Sequence, residues 1–543
     1  MNLLKALAAA MLAIIHTVVS ADNNSSDVTQ LGTLNMVTLN QVDATTEGNQ
    51  IVVIQEGSGN ASEAEQVTGT TNSLITHIQI GDDNEAISAQ ANDTNVGLIS
   101  TTQQGDANDA ELFQDTLIEF SGLTATQVGN TNFTDLVQEG TVISSQATVI
   151  QIGDMNEAET IQETGVESST IVATQSGTGN EFAGQQDTDI TLSSINSTQI
   201  GSSNVIEIDQ EDVVTTSTIT TVQDGNMNDA DAQQASTVSS STIILNQIGG
   251  ENDANIDHFD TIFATVGSIT QLGSSNEADI AQFGDISSST ATISQSGTDN
   301  DASVDQSSEV ISSNISVSQN GTDNSLLVDQ EEIVSLSLVS VDQTGDMNEV
   351  DVDQEGEVSS TIAGVVQNGS MNDAEINQSN LVDSSSTAVV QTGDNNDSQV
   401  LQIDGLISFG TVSIDQNGSS NTVDAEQDGL ISSSTIDIAQ SGVSNDADVE
   451  QDTFVELSSV TTSQIGTSNS LTVLQVNVVS LNISITQDGD MNSSDVTQMG
   501  ASNSTSNTIQ VGTLNDHTTS QLNNFQTASA TQNGMSNVGT ILQ

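Results

Sequence analysis

The sequence almost lacks the residues that normally build and cross-link a globular core. It has no Pro, Cys, Trp or Tyr, and only 10 Phe among 543 residues. Without Cys, disulfides, thiolate metal sites and thiol nucleophiles are all excluded. With so few aromatic side chains, any hydrophobic core must be thin and built mainly from small aliphatic residues. Low aromatic content combined with high net charge is also typical of disordered chains.

Positive charge is the second absence. Lys5 is the only Lys or Arg, against 75 Asp and Glu, and the formal net charge is -74. Nucleic acids are bound chiefly through Lys and Arg contacts to phosphates, so a nucleic-acid partner is excluded. Anionic membrane surfaces are excluded for the same reason, and we expect no membrane insertion of the mature chain.

The first 21 residues have the pattern of a secretory signal peptide. Lys5 precedes an apolar run from Ala6 to Val19, and the segment ends in Val19-Ser20-Ala21. The run has about 14 residues, whereas a membrane-spanning helix needs roughly 20. We therefore expect cleavage after Ala21 and secretion of a mature chain of residues 22–543.

One motif recurs along the whole of this mature chain. It reads QxGxxN with a second Gln six residues after the Asn, and it occurs in 22 copies. The first Gln, the Gly and the Asn are present in every copy, and His258 replaces the second Gln once. From Gln55 to Gln391 the copies follow each other at intervals of 24 residues. A disordered chain has no reason to keep this spacing, so ordered tandem repeats are predicted.

Apolar and polar residues alternate with a period of two on both sides of the motif, which indicates β-strands. The Gly and Asn tolerate the positive φ of a tight turn between the two strands. A second turn is expected in the Ser-rich stretch around Ser288. In four copies, the residues expected to form ladders and turns are Gln30, Gly32, Asn35, Gln41, Gln271, Gly273, Asn276, Gln282, Gln295, Gly297, Asn300, Gln306, Gln532, Gly534, Asn537 and Gln543.

A single strand-turn-strand unit cannot bury its apolar face, so the copies must stack. Stacking in register places each Gln and Asn over its counterpart, where side-chain amides can hydrogen-bond along the column as in cross-β structures. The sequence therefore predicts an all-β fold, a cross-β-like β-solenoid of about 22 stacked repeats with a period of about 24 residues. The repeats extend to the last residue, so open sheet edges and end-to-end self-association are expected.

The form QxGxxNxAxxxQ, preceded by alternating Ser/Thr and Ile/Val, resembles the curlin repeat of curli fibre subunits. The Ala form stands at Ala86, Ala110, Ala158, Ala230, Ala254, Ala278, Ala302, Ala374 and Ala447. The resemblance covers essentially the whole mature chain. It implies amyloid-type extracellular fibres of a biofilm matrix, which serve adhesion and surface attachment. It also implies a companion subunit that nucleates the fibres and export through an outer-membrane pore.

An acidic residue follows the turn Asn in 13 of the 22 copies. Stacked in register, these carboxylates would lie about 5 Å apart and repel each other by nearly 1 kcal/mol per pair even in water. One interpretation is a solvated face that keeps the chain soluble. Another is a row that binds Ca²⁺ or Na⁺ loosely and triggers assembly. The candidate cation row includes Glu85, Asp109, Glu157, Asp229, Asp253, Glu277 and Asp301.

Neither a high-affinity metal site nor a catalytic site is predicted. The stretch that begins at Asp154 resembles the start of an EF-hand loop, but Glu159 stands where that loop needs Gly and Gly165 where it needs Glu. The His residues of the mature chain, at 77, 258 and 517, take inward repeat positions in separate copies and are expected to be core substitutions. Carboxylates are too numerous for one pair to stand out as an acid and a base.

The main alternative to a fibre subunit is a binding module of another class. A monomeric, acidic β-solenoid could act as an adhesin or as an ice- or surface-binding module through its Ser/Thr stretches. The identities of these Ser and Thr residues change from copy to copy, as in Thr215-Thr216-Ser217 against Ser239-Ser240-Ser241. A regular Thr array at fixed phase is therefore not evident in those stretches.

Overall fold

The computed structural model describes residues 14–19, 23–42 and 47–543, and this part of the chain contains strands and turns but no helix. It is an all-β fold in which parallel strands wind into a β-solenoid of about 21 turns with a period of about 24 residues. The predicted fold class is therefore confirmed. No helix of the described residues is long and apolar enough to cross a membrane. The chain divides into two compact units, Met1–Gln271 and Leu272–Gln543, called unit 1 and unit 2.

The strands up to the unit boundary are β1 Ile14–Val19, β2 Ser25–Thr33, β3 Met36–Val42, β4 Gln50–Ser58, β5 Ala61–Val67, β6 Leu74–Ile80, β7 Glu85–Gln90, β8 Leu98–Gln104, β9 Asp109–Asp115, β10 Ile118–Glu119, β11 Gly122–Val128, β12 Phe133–Glu139, β13 Val142–Ile143, β14 Gln146–Asp154, β15 Glu157–Gln162, β16 Val166–Glu167, β17 Thr170–Thr178, β18 Glu181–Gln186, β19 Ser194–Ser202, β20 Val205–Gln210, β21 Val213–Thr215, β22 Thr218–Asn226, β23 Asp229–Gln234, β24 Thr237–Ser239, β25 Thr242–Gly250, β26 Asp253–Phe263 and β27 Val266–Ser274, which contains the boundary.

The strands of unit 2 are β28 Glu277–Ser287, β29 Thr290–Thr298, β30 Asp301–Ile311, β31 Asn314–Thr322, β32 Ser325–Ser335, β33 Leu338–Asp346, β34 Glu349–Ser359, β35 Ile362–Ser370, β36 Asp373–Asp383, β37 Ser386–Asp394, β38 Asp397–Ile403, β39 Leu406–Ser408, β40 Thr411–Ser419, β41 Thr422–Ser432, β42 Thr435–Val443, β43 Asp446–Glu456, β44 Ser459–Thr467, β45 Ser470–Val479, β46 Asn482–Asp490, β47 Ser493–Met499, β48 Thr505–Thr513, β49 Asp516–Gln521, β50 Thr527–Met535 and β51 Val538–Leu542.

Each turn of the solenoid has two long sides, which form two parallel sheets within each unit. Sheet 1 contains the strands that carry the first Gln of the motif, and sheet 2 contains the strands that lead to the second Gln. The strands stack in register, so that Gln151 of β14 pairs with Gln175 of β17 in sheet 1. In sheet 2, Gln162 of β15 pairs with Gln186 of β18.

The core is a thin layer between the inward faces of the two sheets. Burial alternates along every long strand, as in β17, where Ile171, Ala173 and Gln175 are buried and the residues between them are half-buried. Successive side chains of a strand point to opposite faces, which gives this period of two. The predicted alternation of inward and outward residues is therefore found on the two long sides of each turn.

A third, short side of each turn carries apolar residues that were not predicted from the sequence. The residue fifteen positions after the first Gln is buried and apolar in successive turns, at Ile118, Val142, Val166 and Ile190. The first three belong to the short parallel strands β10, β13 and β16. A turn in the Ser-rich stretch is present as well, since Ser288 has a φ of 55° between β28 and β29. The core is thus closed on three sides.

Strand β1 lies within the predicted signal peptide and pairs in parallel with β3, with Ile14 opposite Met36. The other residues of the predicted leader, including the cleavage site after Ala21, lie outside the described residues. Cleavage at that site would remove β1 and leave one edge of β3 without this neighbour.

Candidate assembly site

Buried glutamines form a hydrogen-bonded ladder through sheet 1 of each unit. Gln151 Nε2 donates to Gln175 Oε1 at 2.9 Å and also to the backbone carbonyl of Phe133 at 2.8 Å. The same Nε2-to-Oε1 bond joins every successive pair from Gln30 to Gln271 and from Gln295 to Gln532. Because each amide finds its partners along the column, Gln can replace an aliphatic residue in the core without leaving buried polar groups unpaired.

A second glutamine ladder runs through sheet 2. It joins successive residues from Gln41 to Gln234 in unit 1. In unit 2 it joins Gln282, Gln306 and their successors as far as Gln543. Every Gln of the four copies singled out in the sequence therefore belongs to one of the two ladders.

The turn Asn and Gly connect neighbouring turns on the same edge of the core. Asn132 Nδ2 donates to Asn108 Oδ1 at 2.9 Å and to the carbonyl of Gly153 at 2.8 Å. The motif Gly has a positive φ, 118° at Gly153, which favours glycine. The prediction of a positive φ for the turn Asn was wrong, because the residue before it has that conformation, as Met155 does with a φ of 57°. The sequence-predicted turn residues hold the same places in their copies, namely Gly32, Asn35, Gly273, Asn276, Gly297, Asn300, Gly534 and Asn537.

The motif Gly is also required because adjacent backbones approach closely. A Cβ added to Gly153 would lie 1.9 Å from the carbonyl oxygen of Gly177 in the next turn. The corresponding distance from Gly129 to the Gly153 oxygen is also 1.9 Å. No side chain can be accommodated at that distance, so Gly at this position is a condition for stacking in register.

Both glutamine ladders have the same direction, since each Nε2 donates to the Oε1 of the following turn. At the first turn of unit 1, Gln30 Oε1 and Gln41 Oε1 consequently have no hydrogen-bond partner among the described residues. At the last turn of unit 2, Gln532 Nε2 donates to the Asp516 carbonyl. Gln543 Nε2 donates to the Thr527 carbonyl. Each amide has a second N–H. The first turn of unit 1 thus holds unpaired acceptors, and the last turn of unit 2 holds spare donors.

The sheet 2 ladder of unit 1 is interrupted at His258. Neither ring nitrogen of His258 has a hydrogen-bond partner among the described residues, and Gln234 Nε2, which would donate to a glutamine at this place, has none either. Burial lowers the pKa of His258 to about 3, so the ring is neutral at physiological pH. A Cβ added to Gly267 would lie 3.1 Å from His258 Nε2, so the Gly leaves room for the ring.

Replacing His258 by Gln is expected to stabilise unit 1 by about 1–2 kcal/mol, because Gln234 Nε2 regains an acceptor and a buried donor no longer lacks a partner. Denaturant unfolding with amide hydrogen exchange in β23 and β26 measures the change. The matched control is His77→Gln. His77 is equally buried, but both its ring nitrogens have hydroxyl partners, Ser62 Oγ and Ser88 Oγ, each at 2.7 Å. Equal destabilisation by both substitutions would contradict the prediction.

The candidate cation row is divided into short runs. Phe133 stands between Asp109 and Glu157 in the stacked column, so these two carboxylates are not neighbours. The carboxylates of this row that the structure brings together in adjacent turns are Glu85 with Asp109, Glu157 with Glu181, Asp229 with Asp253, Glu277 with Asp301, and the run of Glu349, Asp373 and Asp397. Within the described residues, no group of three or more His, Asp or Glu is arranged to hold a metal ion.

Carboxylates also stack at another outward position of sheet 2. Asp305, Asp329 and Asp353 occupy consecutive turns. Partial burial, followed by repulsion from Glu331, Asp305 and Asp353, raises the pKa of Asp329 to about 7. These stacks can be found in the sequence by aligning the copies at the tenth residue after the first Gln, a position that the sequence analysis did not consider.

The fold and its ladders define this chain as a tandem-repeat, parallel β-solenoid with in-register amide columns. Neither a scan against models of protein families nor a search of curated proteins found a match to the chain.

Proposed function

We propose that this chain is a secreted structural protein that polymerises end to end with copies of itself into amyloid-type extracellular fibres. Such fibres would serve a biofilm matrix, adhesion and surface attachment, in line with the resemblance to curlins. The observation that carries the proposal is the direction of the glutamine ladders. An end with unpaired acceptors, at Gln30 and Gln41, is complementary to an end with spare donors, at Gln532 and Gln543.

Head-to-tail contact continues both ladders from one copy into the next. Gln532 Nε2 would donate to Gln30 Oε1 of the following copy, and Gln543 Nε2 to Gln41 Oε1. The backbone edges of β50 and β51 would pair with β2 and β3 and extend the two parallel sheets. In the last turn Met535, Val538 and Leu542 are 71%, 76% and 74% exposed, so such contact also buries apolar surface. Repeated head-to-tail contact produces a filament when the rotation between copies does not close into a ring.

Removal of the leader fits this scheme, because β1 occupies the edge of β3 on which a second copy would add. The proposed partner is therefore a second copy of the mature chain. The resemblance to curlins adds a nucleating subunit and an outer-membrane pore to the proposed partners. Loose binding of Ca²⁺ or Na⁺ by the acidic face is the proposed means of lowering repulsion between copies. No other cofactor and no catalytic activity are proposed.

The double substitution Gln532→Glu and Gln543→Glu tests the proposed end contact. Each carboxylate can still accept from the preceding ladder residue, Gln510 or Gln521, but it has no N–H to donate to the next copy. We expect the wild-type chain from residue 22 to form fibres with cross-β diffraction. The variant should elongate at least about tenfold more slowly, because two hydrogen bonds are lost and two charges are placed at the contact. Thioflavin fluorescence and electron microscopy, with and without millimolar Ca²⁺, measure this.

The double substitution Thr531→Glu and Thr540→Glu is the matched control, since it adds two charges to the same turn at outward positions of β50 and β51. It should elongate at nearly the wild-type rate. Wild-type chains that stay monomeric under both cation conditions would overturn the proposal, and equal slowing by both variants would overturn the ladder contact.

A further inference from the structure

The two sheets of unit 1 differ sharply in the charge of their outward faces. In sheet 1 the outward residues lie five, three and one positions before the first Gln and one position after it, as Gly122, Thr124, Thr126 and Val128 do in β11. Three of the 43 residues at these positions in unit 1 are acidic, namely Asp27, Glu56 and Asp224. We call this surface the neutral face.

The outward surface of sheet 2 in the same unit, called the acidic face, is made of residues six, eight, ten and twelve positions after the first Gln. Half of them are acidic, 20 of 40, with no Lys or Arg to balance them. Burial and then repulsion from Glu111 and Glu159 raise the pKa of Asp135 on this face to about 6. A second copy that approached the acidic face would bring its own carboxylates close to these carboxylates and would be repelled.

The neutral face is built from β-branched and aliphatic side chains in regular rows. The residue before the first Gln is Thr, Ile or Val in ten of the eleven copies up to Gln271, Asn246 being the exception. In-register pairing aligns these residues, so that Thr126 lies opposite Ile150 and Ile150 opposite Thr174. The row after the Gln includes exposed apolar residues, which are Leu31, Ile80, Val128, Ile152, Ile200 and Ile248.

We infer that the neutral face is a lateral contact surface, on which unit 1 of one copy packs face to face on unit 1 of a second copy. Two identical faces with rows at the strand spacing can interdigitate as the paired sheets of a steric zipper do. The chain carries a net charge of -74, so copies can approach closely only where carboxylates are few. Paired on this face, both copies keep their acidic faces in solvent.

The size of the neutral face is sufficient for a stable pair. Eleven copies of the motif at about 4.8 Å per turn, and a strand length of about 20 Å, give roughly 1,000 Å² for each copy. Stable interfaces typically bury about 800 Å² per partner. The equivalent face of unit 2 carries nearly the same number of acids, Asp342, Asp415, Asp437 and Asp488. It is less suitable because its row after the Gln is mostly Ser, Thr and Asn in place of exposed apolar residues. The contact is therefore assigned to unit 1.

Four glutamates placed on the neutral face test this contact, as Thr124→Glu, Thr126→Glu, Thr148→Glu and Thr198→Glu. The control chain carries the same added charge on the acidic face, as Val137→Glu, Ala183→Glu, Gln185→Glu and Gln233→Glu. All eight positions are half-buried and outward. Scanning transmission electron microscopy measures the mass per length of the fibres, and sedimentation gives the molar mass of chains before they polymerise.

We expect wild-type and control fibres to have twice the mass per length of the neutral-face variant, whose fibres remain equally long. Before polymerisation, wild-type chains should sediment as dimers and the variant as monomers. Fibre length measures end-to-end growth, whereas mass per length measures lateral pairing, so the proposed function and the lateral contact can fail separately. If no fibres form, sedimentation alone tests the lateral contact. The inference would be overturned if wild-type chains sedimented as monomers and their fibres had the mass per length of a single row of chains. That result would favour binding of the neutral face to a surface other than a second copy. Equal loss of pairing in both variants would also overturn it.

Discussion

Replacing Gly153 by Ala is expected to lower the free energy of unfolding of unit 1 by about 3–5 kcal/mol, through backbone strain and overpacking together. The φ of Gly153 is 118°, and the new Cβ would lie 1.9 Å from the Gly177 carbonyl oxygen. The two turns must separate, which also breaks the bond from Asn156 Nδ2 to the Gly177 carbonyl. Denaturant unfolding gives the energy, and hydrogen exchange should show lost protection concentrated in β14 and β17, because each repeat contacts mainly its neighbours.

Gly122→Ala is the matched control in the same unit. The φ of Gly122 is not in the positive region, and its nearest neighbour, the Leu98 carbonyl oxygen, would lie 3.7 Å from an added Cβ. The substitution should be neutral or stabilise by about 0.4–1 kcal/mol, since Ala restricts the unfolded chain. If Gly153→Ala were tolerated as well as Gly122→Ala, the close stacking of the motif glycines would be wrong.

Lowering the pH from about 7.5 to about 5 is expected to stabilise the folded chain, the reverse of ordinary acid denaturation. Burial and carboxylate repulsion raise the pKa of several groups from 3.8 to about 6, and that of Asp329 to about 7. At pH values between 3.8, the pKa of these groups in the unfolded chain, and their folded pKa of about 6 to 7, the folded state binds more protons than the unfolded state. The stability that these groups contribute is therefore present at low pH and is lost as the pH rises through 6 to 7.

The buried histidines oppose this trend. Burial lowers the pKa of His77 and His258 from 6.5 to about 3, so below 6.5 the unfolded state takes up protons that these folded groups do not. Burial also lowers the pKa of His517. These three groups are outnumbered by the seven carboxylates whose pKa is raised to about 6 or 7, namely Asp109, Asp135, Asp209, Asp231, Asp329, Asp353 and Asp373. Stability should therefore rise on acidification to about pH 5, as thermal unfolding at a series of pH values will show.

Asp329→Asn isolates one of these carboxylates. The variant should raise the free energy of unfolding by about 1–2 kcal/mol at pH 7.5 after allowance for solvent screening, and by much less at pH 5, where the wild-type group is already protonated. Glu309→Gln removes the same charge from an exposed site on the neighbouring turn and should change little at either pH. An Asp329→Asn effect that is the same at both pH values would show that repulsion in the stack is not its cause.

The sequence alone was sufficient for much of the fold. The constant spacing of Gln, Gly and Asn predicts stacked repeats, and the period of two predicts which residues of the long strands face inward. A Gln that recurs on an inward face can be satisfied by an identical Gln above and below it, so the ladders also follow from the pattern. The short apolar side at Val142 and Val166 was missed because one buried residue per turn gives no alternation to recognise.

Other properties depend on the tertiary structure. Only the stacked structure gives each ladder a common direction, with acceptors at Gln30 and donors at Gln543, because each amide orientation is fixed by its neighbours in the column. Only the winding of the chain collects outward residues 24 positions apart into one surface, which separates a neutral face from an acidic one. The spacing of the repeats can be read directly from the sequence, because it depends only on the order of residues along the chain. The direction of the ladders and the segregation of charge were decided by the tertiary structure, because they arise only when distant residues are brought into contact.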